Sequence, residues 1–132
     1  MNHILLLEDI PEIRAWLKAL IKQVFANAQI TECSRVQDAL SLVNGQRFTL
    51  ALLDLGLPDG SGVEVIAALR EKQPEVQSVI VTIHDDDEHL FPALQAGAFG
   101  YLLKEQSREL LVEQLQRISQ GEPPLSPSIA RR

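Results

Sequence analysis

The chain has 132 residues, of which 45% are hydrophobic and 23% charged, a composition typical of one globular domain that forms its own core. Acidic residues (18) outnumber basic ones (12), and the net charge of −6 disfavours direct binding to nucleic acids or anionic membranes. No apolar run approaches the roughly 18 residues that a membrane span needs, and the N-terminus lacks the features of a signal peptide.

The first two predicted strands are the apolar runs HILLLE at residues 3–8 and AQITEC at residues 28–33. A helix is predicted between them, because Pro11 suits an opening turn and apolar residues follow at helical spacing. These apolar residues are Ile13, Leu17, Leu20 and Val24. The single cysteine, Cys33, ends the second run and is expected to pack in the core. It excludes an internal disulfide and favours a cytoplasmic protein.

A second helix is predicted after this strand, with Ser34 as its N-cap and Asn44-Gly45 as its end. Three further strands are predicted at residues 48–54, 78–83 and 99–104, where the sequence reads FTLALLD, SVIVTI and FGYLLK. The third helix is predicted over residues 61–72, the fourth from the segment HDDDEHL to Gly97, and the fifth over residues 107–120. Pro92 is expected to kink or shorten the fourth helix.

Strand and helix therefore alternate five times along the chain. This alternation predicts an α/β fold with right-handed crossovers, in which helices cover both faces of an open five-stranded parallel sheet. The second strand is predicted to lie at an edge. Composition changes after Gly121, where EPPLSPSIARR holds three of the seven prolines. We interpret residues 1–120 as the domain and residues 121–132 as the start of an interdomain linker.

The carboxyl ends of the predicted strands carry the residues with candidate chemistry. Glu8 and Asp9 follow the first strand, and Asp54, Thr82 and Lys104 stand at the ends of the third, fourth and fifth strands. Open α/β sheets bind ligands at this edge, so these side chains are predicted to converge there. Taken singly, each has a simpler explanation, such as capping a turn, capping the first helix or lying on a solvated surface.

Clustered carboxylates repel one another, by roughly 4 kcal/mol for two charges about 4 Å apart at an effective dielectric near 20. Such a cluster should protonate or recruit a cation, and hard oxygen ligands favour Mg²⁺. The ion would offset the charge of an incoming phosphoryl group, and Lys104 would contact another phosphoryl oxygen. Asp54 is then the predicted nucleophile, which forms an aspartyl phosphate.

The sequence resembles the receiver domain of two-component response regulators over residues 3–120. The resemblance rests on motifs that occur in order and at the separations typical of that family. They are Glu8-Asp9, the segment LLDLGLPDGSG with Asp54, Pro58 and Gly62, Thr82 in SVIVT, and Tyr101 and Lys104 in GYLLK.

This resemblance implies a flavodoxin-like fold and a receiver over residues 1–120. It implies a switch rather than a turnover enzyme, although a receiver catalyses its own phosphorylation and slowly hydrolyses the aspartyl phosphate. By similarity, Asp54 accepts a phosphoryl group from a sensor histidine kinase. Glu8, Asp9, Asp54 and the backbone carbonyl of Gly56 are expected to hold Mg²⁺.

Thr82 and Tyr101 are expected, by the same similarity, to form a switch pair. As Thr82 moves inward to a phosphoryl oxygen, the ring of Tyr101 fills the vacated space and changes the surface of the fourth helix, fifth strand and fifth helix. Two residues depart from the family pattern. Ile83 replaces a small residue and is expected to narrow the approach to Asp54. Glu105 replaces the usual proline, so no cis peptide bond is expected there.

The ending SQGEPPLSPSIARR resembles the exit of receivers that carry a LuxR-type helix-turn-helix output domain. It implies a transcription regulator that dimerises on phosphorylation and contacts DNA only through a C-terminal domain absent from this chain. One alternative is a stand-alone receiver that acts by protein–protein interaction. A haloacid-dehalogenase-like phosphatase fits less well, because Gly56 occupies the position of its second aspartate. A nucleotide or flavin binder requires a glycine-rich loop after the first strand, where this sequence has carboxylates instead.

The acidic run at residues 85–88 precedes or opens the fourth predicted helix, whose dipole favours carboxylates at that end. A second metal site is the alternative interpretation of the run. His84 and His89 are five residues apart and would not share a helical face, so they are not expected to be ligands.

Overall fold

A computed structural model describes residues 2–132. The strands are β1 (His3–Leu7), β2 (Gln29–Cys33), β3 (Leu50–Leu53), β4 (Gln77–Thr82) and β5 (Gly100–Leu103). The helices are α1 (Pro11–Val24), α2 (Val36–Gly45), α3 (Gly62–Lys72), α4 (Asp87–Ala96), α5 (Arg108–Ser119) and α6 (Pro127–Ala130). Within this described part of the chain, no helix combines the length and apolarity that crossing a membrane requires.

The five strands form one parallel sheet in the order β2-β1-β3-β4-β5. This is the doubly wound, flavodoxin-like order, and the predicted edge position of β2 is confirmed. The chain runs outward from β1 to β2 and then returns to the other side of β1 with β3. The carboxyl ends of β1 and β3 therefore flank the point where the strand order reverses, which is where such sheets bind ligands.

Successive residues of the central strands point to opposite faces of the sheet and build two apolar layers. Ile4 and Leu6 of β1 pack with α1 and α5, whereas Leu5 and Leu7 pack with α2, α3 and α4. The residues predicted to face the core from the fifth helix are buried as expected; they are Leu111, Leu115 and Ile118. Helices thus cover both faces of the sheet.

The helix ends differ in one respect from the prediction. The predicted N-cap Ser34 is wrong, since Arg35 holds that position and its side chain makes no capping hydrogen bond. The carboxylate of Asp59, from the loop after β3, accepts instead from the first N–H groups of α2. Pro92 lies inside α4, which continues to Ala96 although a proline donates no backbone hydrogen bond.

Residues 124–126 pack along the outer edge of β5, on the side that does not pair with β4. Leu125 forms a parallel bridge with Tyr101, and Ile129 of α6 is buried in the core layer beside α4. A Cβ atom on Gly100 would lie 2.5 Å from Pro124 Cγ, so glycine permits this close approach. The assignment of residues 121–132 as the start of an interdomain linker stays a prediction.

Candidate functional site

Three carboxylates meet at the carboxyl ends of β1 and β3. Glu8 and Asp9 come directly after β1 and Asp54 directly after β3. One oxygen from each lies within 4.8 Å of the others. Glu8 is fully buried and Asp54 is 7% exposed, whereas Asp9 is partly exposed. The predicted convergence of these three carboxylates is therefore present in the fold.

Asp54 is fixed by its own backbone and by its neighbours. Its N–H donates to the carbonyl of Leu7 at 3.0 Å, which extends the pairing of β3 with β1. Its Oδ1 accepts from the N–H of Leu55 at 2.8 Å, and its Oδ2 accepts from Lys104 Nζ at 3.0 Å. A Cβ atom on Gly62 would lie 2.2 Å from the Asp54 carbonyl oxygen. Glycine at the start of α3 thus lets the helix approach this strand end.

Lys104 bridges two of the three acids. Its Nζ lies 2.5 Å from Glu8 Oε1 and 3.0 Å from Asp54 Oδ2, and its backbone N–H donates to the carbonyl of Thr82. Burial alone would lower the pKa of Lys104, but the contacts with Glu8 and Asp54 outweigh burial and raise this pKa. The amine is therefore protonated and presents a fixed positive charge at the site.

Glu8 has the opposite balance of effects. Burial raises the pKa of this carboxyl, and the contacts with Lys104 and with the N–H of Ile10 offset burial only in part. Its Oε2 accepts from Ile10 at 3.1 Å, whereas Oε1 touches Lys104 without an aligned hydrogen bond. Additional positive charge at this edge would favour the ionised form of Glu8.

The donor set at this edge fits a hard divalent cation. Fully ionised, the three acids carry one negative charge each, and Lys104 offsets only one of them. The carbonyl of Gly56 accepts no hydrogen bond from residues 2–132, so its oxygen is available as a further ligand. Carboxylate and carbonyl oxygens are the ligands that Mg²⁺ prefers, with waters completing the coordination.

The predicted switch residues Thr82 and Tyr101 both contact the backbone of His84. Thr82 is fully buried, and its Oγ1 accepts from the N–H of His84 at 3.2 Å. The phenol of Tyr101 donates to the carbonyl of His84 at 2.7 Å. The ring of Tyr101 is fully buried in the core layer that faces α4.

The two departures from the family pattern lie beside this edge. Ile83, directly after Thr82, is 60% exposed, so its side chain stands on the surface next to the site rather than in the core. The Lys104–Glu105 peptide bond is trans. The expected narrowing of the approach to Asp54 by Ile83 stays a prediction.

Comparison with known proteins agrees with this geometry. Residues 4–116 match the response regulator receiver domain family. The chain belongs to this family. The receiver assignment leaves no support for the haloacid-dehalogenase-like alternative.

Among curated relatives of this receiver, the nitrate/nitrite response regulator protein NarL of Escherichia coli (strain K12) is 33% identical over 126 residues, covering 96% of this chain and 58% of NarL. The transcriptional regulatory protein YdfI of Bacillus subtilis (strain 168) is 31% identical over 132 residues, covering 100% of this chain and 62% of YdfI. The receiver thus spans about three fifths of the length of these curated relatives.

Solved structures show the same architecture. A two-component response regulator of the LuxR family from Aurantimonas sp. SI85-9A1 superposes on this receiver with a TM-score of 0.89 and 27% identity. The superposition covers 99% of this chain and 94% of the other. The flavodoxin-like, doubly wound fold expected from the sequence is confirmed.

Sequence reasoning missed the part played by His84. Its backbone groups contact both Thr82 and Tyr101, and no sequence signal marks them, because any residue type except proline supplies the same N–H and carbonyl. His84 and His89 were not expected to share a helical face, yet their rings are stacked with centroids 3.9 Å apart. His84 precedes α4, which begins at Asp87, so helical spacing does not apply to this pair.

Proposed function

We propose that this receiver is a phosphorylation-activated signalling switch in which Asp54 accepts a phosphoryl group from a sensor histidine kinase. The observation that carries this proposal is the position of the Asp54 carboxylate, beside the protonated Lys104 and within a cluster of two further acids. Apolar residues of similar size often stabilise a fold as well as buried charged groups do. Packing alone therefore does not explain why a buried carboxylate with these neighbours is present.

The transfer step follows from the contacts of Asp54. One carboxylate oxygen attacks phosphorus, and the bond between phosphorus and the kinase imidazole nitrogen breaks, with its electron pair remaining on that nitrogen. Each Asp54 oxygen accepts only one hydrogen bond from residues 2–132, so lone pairs remain for attack. The ammonium group of Lys104 then also donates a hydrogen bond to a phosphoryl oxygen. A hydrogen bond between charged groups contributes about 1.5–3 kcal/mol.

Glu8, Asp9, Asp54 and the carbonyl of Gly56 are the groups that would hold Mg²⁺, which when bound supplies positive charge opposite the phosphoryl oxygens. The chemistry of these groups supports this assignment, because all of the ligand atoms are oxygens. The negative charge of the three carboxylates also exceeds the single positive charge of Lys104.

We infer that Thr82 senses the phosphoryl group. Its hydroxyl accepts from His84, but the hydroxyl hydrogen has no acceptor among residues 2–132 and is free to turn to a phosphoryl oxygen. Such a bond, made in one conformation only, shifts the equilibrium roughly ten- to a hundredfold. Tyr101 is hydrogen-bonded to His84 in the loop after Thr82, so a movement of this loop also moves Tyr101. We infer that the movement of Tyr101 changes the surface formed by α4, β5 and α5.

The output is proposed by analogy with the longer relatives. We infer that this receiver belongs to a cytoplasmic transcription regulator whose DNA contacts come from a C-terminal domain. The curated relative YdfI, which is named a transcriptional regulatory protein, supports the regulatory part of this inference. Phe91 and Leu94 are exposed on α4 and offer an apolar patch for a homodimer formed on phosphorylation. A reading frame that stops after Arg132 would support the stand-alone receiver instead, and one that continues into a helix-turn-helix pattern would support the regulator.

Intact mass spectrometry with acetyl phosphate tests the phosphoryl acceptor. We expect one phosphoryl group on the wild type with Mg²⁺, and none on Asp54→Asn or after chelation of the metal. Asp38→Asn is the matched control, because Asp38 is an exposed acid on α2 outside the cluster, and it should be phosphorylated normally. Peptide mapping then locates the adduct. Full incorporation into Asp54→Asn would place the acceptor elsewhere and reject the proposal.

Lys104→Ala tests the proposed role of the amine. We expect slower phosphorylation than in the wild type, because a positive charge that contacts Asp54 is lost. Circular dichroism establishes that the variant is folded before rates are compared. An unchanged rate in the folded variant would remove Lys104 from the reaction.

A further inference from the structure

The loop between β4 and α4 gathers a second set of metal-ligating side chains, separate from the acidic edge. His84, Asp86 and His89 each offer one ligand atom, and these three atoms lie within 4.8 Å of one another. The two imidazole rings are stacked, with centroids 3.9 Å apart and an interplanar angle of 4°. His89 Nδ1 lies 2.7 Å from Asp86 Oδ2. All three side chains are partly exposed, so an ion can reach them.

We propose that His84, Asp86 and His89 form a binding site for a divalent transition-metal ion such as Zn²⁺. Two imidazoles and one carboxylate are a donor set that suits Zn²⁺, Cu²⁺, Ni²⁺ or Co²⁺, whereas Mg²⁺ selects oxygen ligands. The acidic edge with its oxygen donors and this loop therefore select different ions.

The required movement is small. Ligands of one tetrahedral Zn²⁺ at about 2.0–2.1 Å lie about 3.3 Å from each other. No separation between the three donor atoms must therefore change by more than about 1.5 Å. The side chains of Asp86 and His89 are 46% and 41% exposed, and such side chains rotate without disturbing the core. Three protein ligands leave a fourth position for water.

The electrostatics of the loop favour a cation despite the adjacent helix. The N-terminus of α4 carries a partial positive charge equivalent to about half a unit, which by itself repels a metal ion. Four consecutive acids at residues 85–88 outweigh that charge. Asp87 is partly engaged, since it contacts Arg132, but Asp85, Asp86 and Glu88 form no ion pair with a lysine or arginine in the described chain.

The backbone of His84 gives the site a consequence for the switch. Its N–H and carbonyl contact Thr82 and Tyr101, so an ion that fixes His84 also fixes the groups that the switch pair contacts. Metal binding and formation of the phosphorylated state are then linked, and the linkage is reciprocal. This linkage, unlike the binding site itself, rests on the proposed function.

Isothermal titration of Zn²⁺ into the 132-residue chain, in excess Mg²⁺ to occupy the acidic edge, tests the site. We expect binding of one ion that is weakened more than about tenfold in His89→Ala and in Asp86→Asn, because loss of a hydrogen-bonding group next to a metal ligand already has that effect. Asp85→Asn is the matched control, since it removes a neighbouring charge but no ligand. Asp54→Asn should bind Zn²⁺ as the wild type does.

Imidazole nitrogen resonances identify the ligands independently of affinity. Zn²⁺ should shift the ring signals of His84 and His89 and leave those of His3, whose ring contacts Thr31 and Arg47, unchanged. Binding that survives in His89→Ala but is lost in Asp54→Asn would place the ion at the acidic edge and overturn the proposal, as would an absence of binding.

The linkage has its own measurement. Beryllofluoride, as a phosphoryl mimic, should change the Zn²⁺ dissociation constant by about fivefold or more. An unchanged constant in a protein that binds both Zn²⁺ and beryllofluoride would reject the linkage while the site and the proposed phosphorylation stand.

Discussion

The phenol of Tyr101 donates a hydrogen bond to the backbone carbonyl of His84, with 2.7 Å between the two oxygens. Burial raises the pKa of Tyr101 to about 12, so the phenol is protonated and remains a donor at neutral pH. The ring itself is fully buried in the core layer beside α4. One side chain therefore connects the interior of β5 to the loop that follows β4.

The variant Tyr101→Phe distinguishes the contribution of the hydroxyl to stability from that of the ring. The ring keeps its packing and only the hydrogen bond to His84 is lost, so we expect the free energy of unfolding to fall by about 1 kcal/mol. Tyr101→Ala leaves a cavity in the core and should lower the free energy of unfolding by about 3–5 kcal/mol, as for other large aromatic residues. Urea denaturation measures both. Equal losses in the two variants would show that the ring contributes nothing beyond its hydroxyl.

Gly62→Ala tests the close approach of α3 to β3. The new Cβ would lie 2.2 Å from the carbonyl oxygen of Asp54, so backbone must move, and overpacking of this kind lowers stability by about 1–3 kcal/mol. We also expect slower phosphorylation of Asp54, because its strand end shifts. Denaturation and incorporation of label from acetyl phosphate measure the two effects.

Gly45→Ala is the control for this prediction. A Cβ atom on Gly45 meets nothing within 4 Å, and the residue ends α2. Alanine there should leave stability unchanged or raise it by up to about 1 kcal/mol. If both variants behaved alike, the contact between Gly62 and Asp54 would have no energetic importance.

Asp59 joins the loop after β3 to the start of α2. Its carboxylate accepts from the N–H of Val36 at 2.7 Å and from that of Gln37 at 3.0 Å. The hydrogen bonds from Gln37 and Val36 lower the pKa of Asp59 below its ordinary value of 3.8. We expect Asp59→Ala to lower the denaturation midpoint at neutral pH, and Asp59→Asn to lower it less, because an amide oxygen still accepts.

The pH dependence of this effect has a definite sign. A carboxyl with a lowered pKa in the folded state contributes stability that is fully present above its ordinary pKa and is lost as pH falls through the folded value. The difference in midpoint between the wild type and Asp59→Ala should therefore be constant above about pH 4 and shrink below it. A difference that grew on acidification would contradict the capping interpretation.

The fold and the acidic edge were predictable because both follow from short-range patterns. Each predicted strand overlaps an observed one, since apolar runs of that length are what a sheet covered on both faces needs. Once the strands are parallel, their carboxyl ends share one edge. Glu8, Asp54 and Lys104 then meet without any further information about their side chains.

The parts that escaped prediction depend on contacts between segments distant in sequence. Asp59 caps a helix that begins 23 residues earlier, and no local pattern marks that partner. The proline-rich ending at residues 121–132 is typical of a linker by composition, yet it docks on β5, because the edge strand offers unpaired backbone groups. The stacking of His84 on His89 depends on the path of a loop, which residue spacing does not determine.

The docking of this ending on β5 leads to a last prediction. Tyr101 donates its N–H to the carbonyl of Pro124 at 2.9 Å and accepts from the N–H of Ser126 at 3.1 Å. The hydroxyl of Ser126 then accepts from the N–H of Leu103 at 2.9 Å, and Ser126 is fully buried. These contacts place the segment along the edge strand as an additional partner.

Ser126→Ala removes the only acceptor for the Leu103 N–H in the described chain, so a backbone donor is left unsatisfied. We expect a loss of about 1–3 kcal/mol in the free energy of unfolding and faster hydrogen exchange at the Leu103 amide. Ser128→Ala is the matched control, because Ser128 is exposed on α6 and its loss should change neither quantity. Unchanged protection of Leu103 in Ser126→Ala would mean that the segment leaves β5 in solution. The edge of β5 would then be open to a partner strand, because unpaired N–H and carbonyl groups along an edge recruit one.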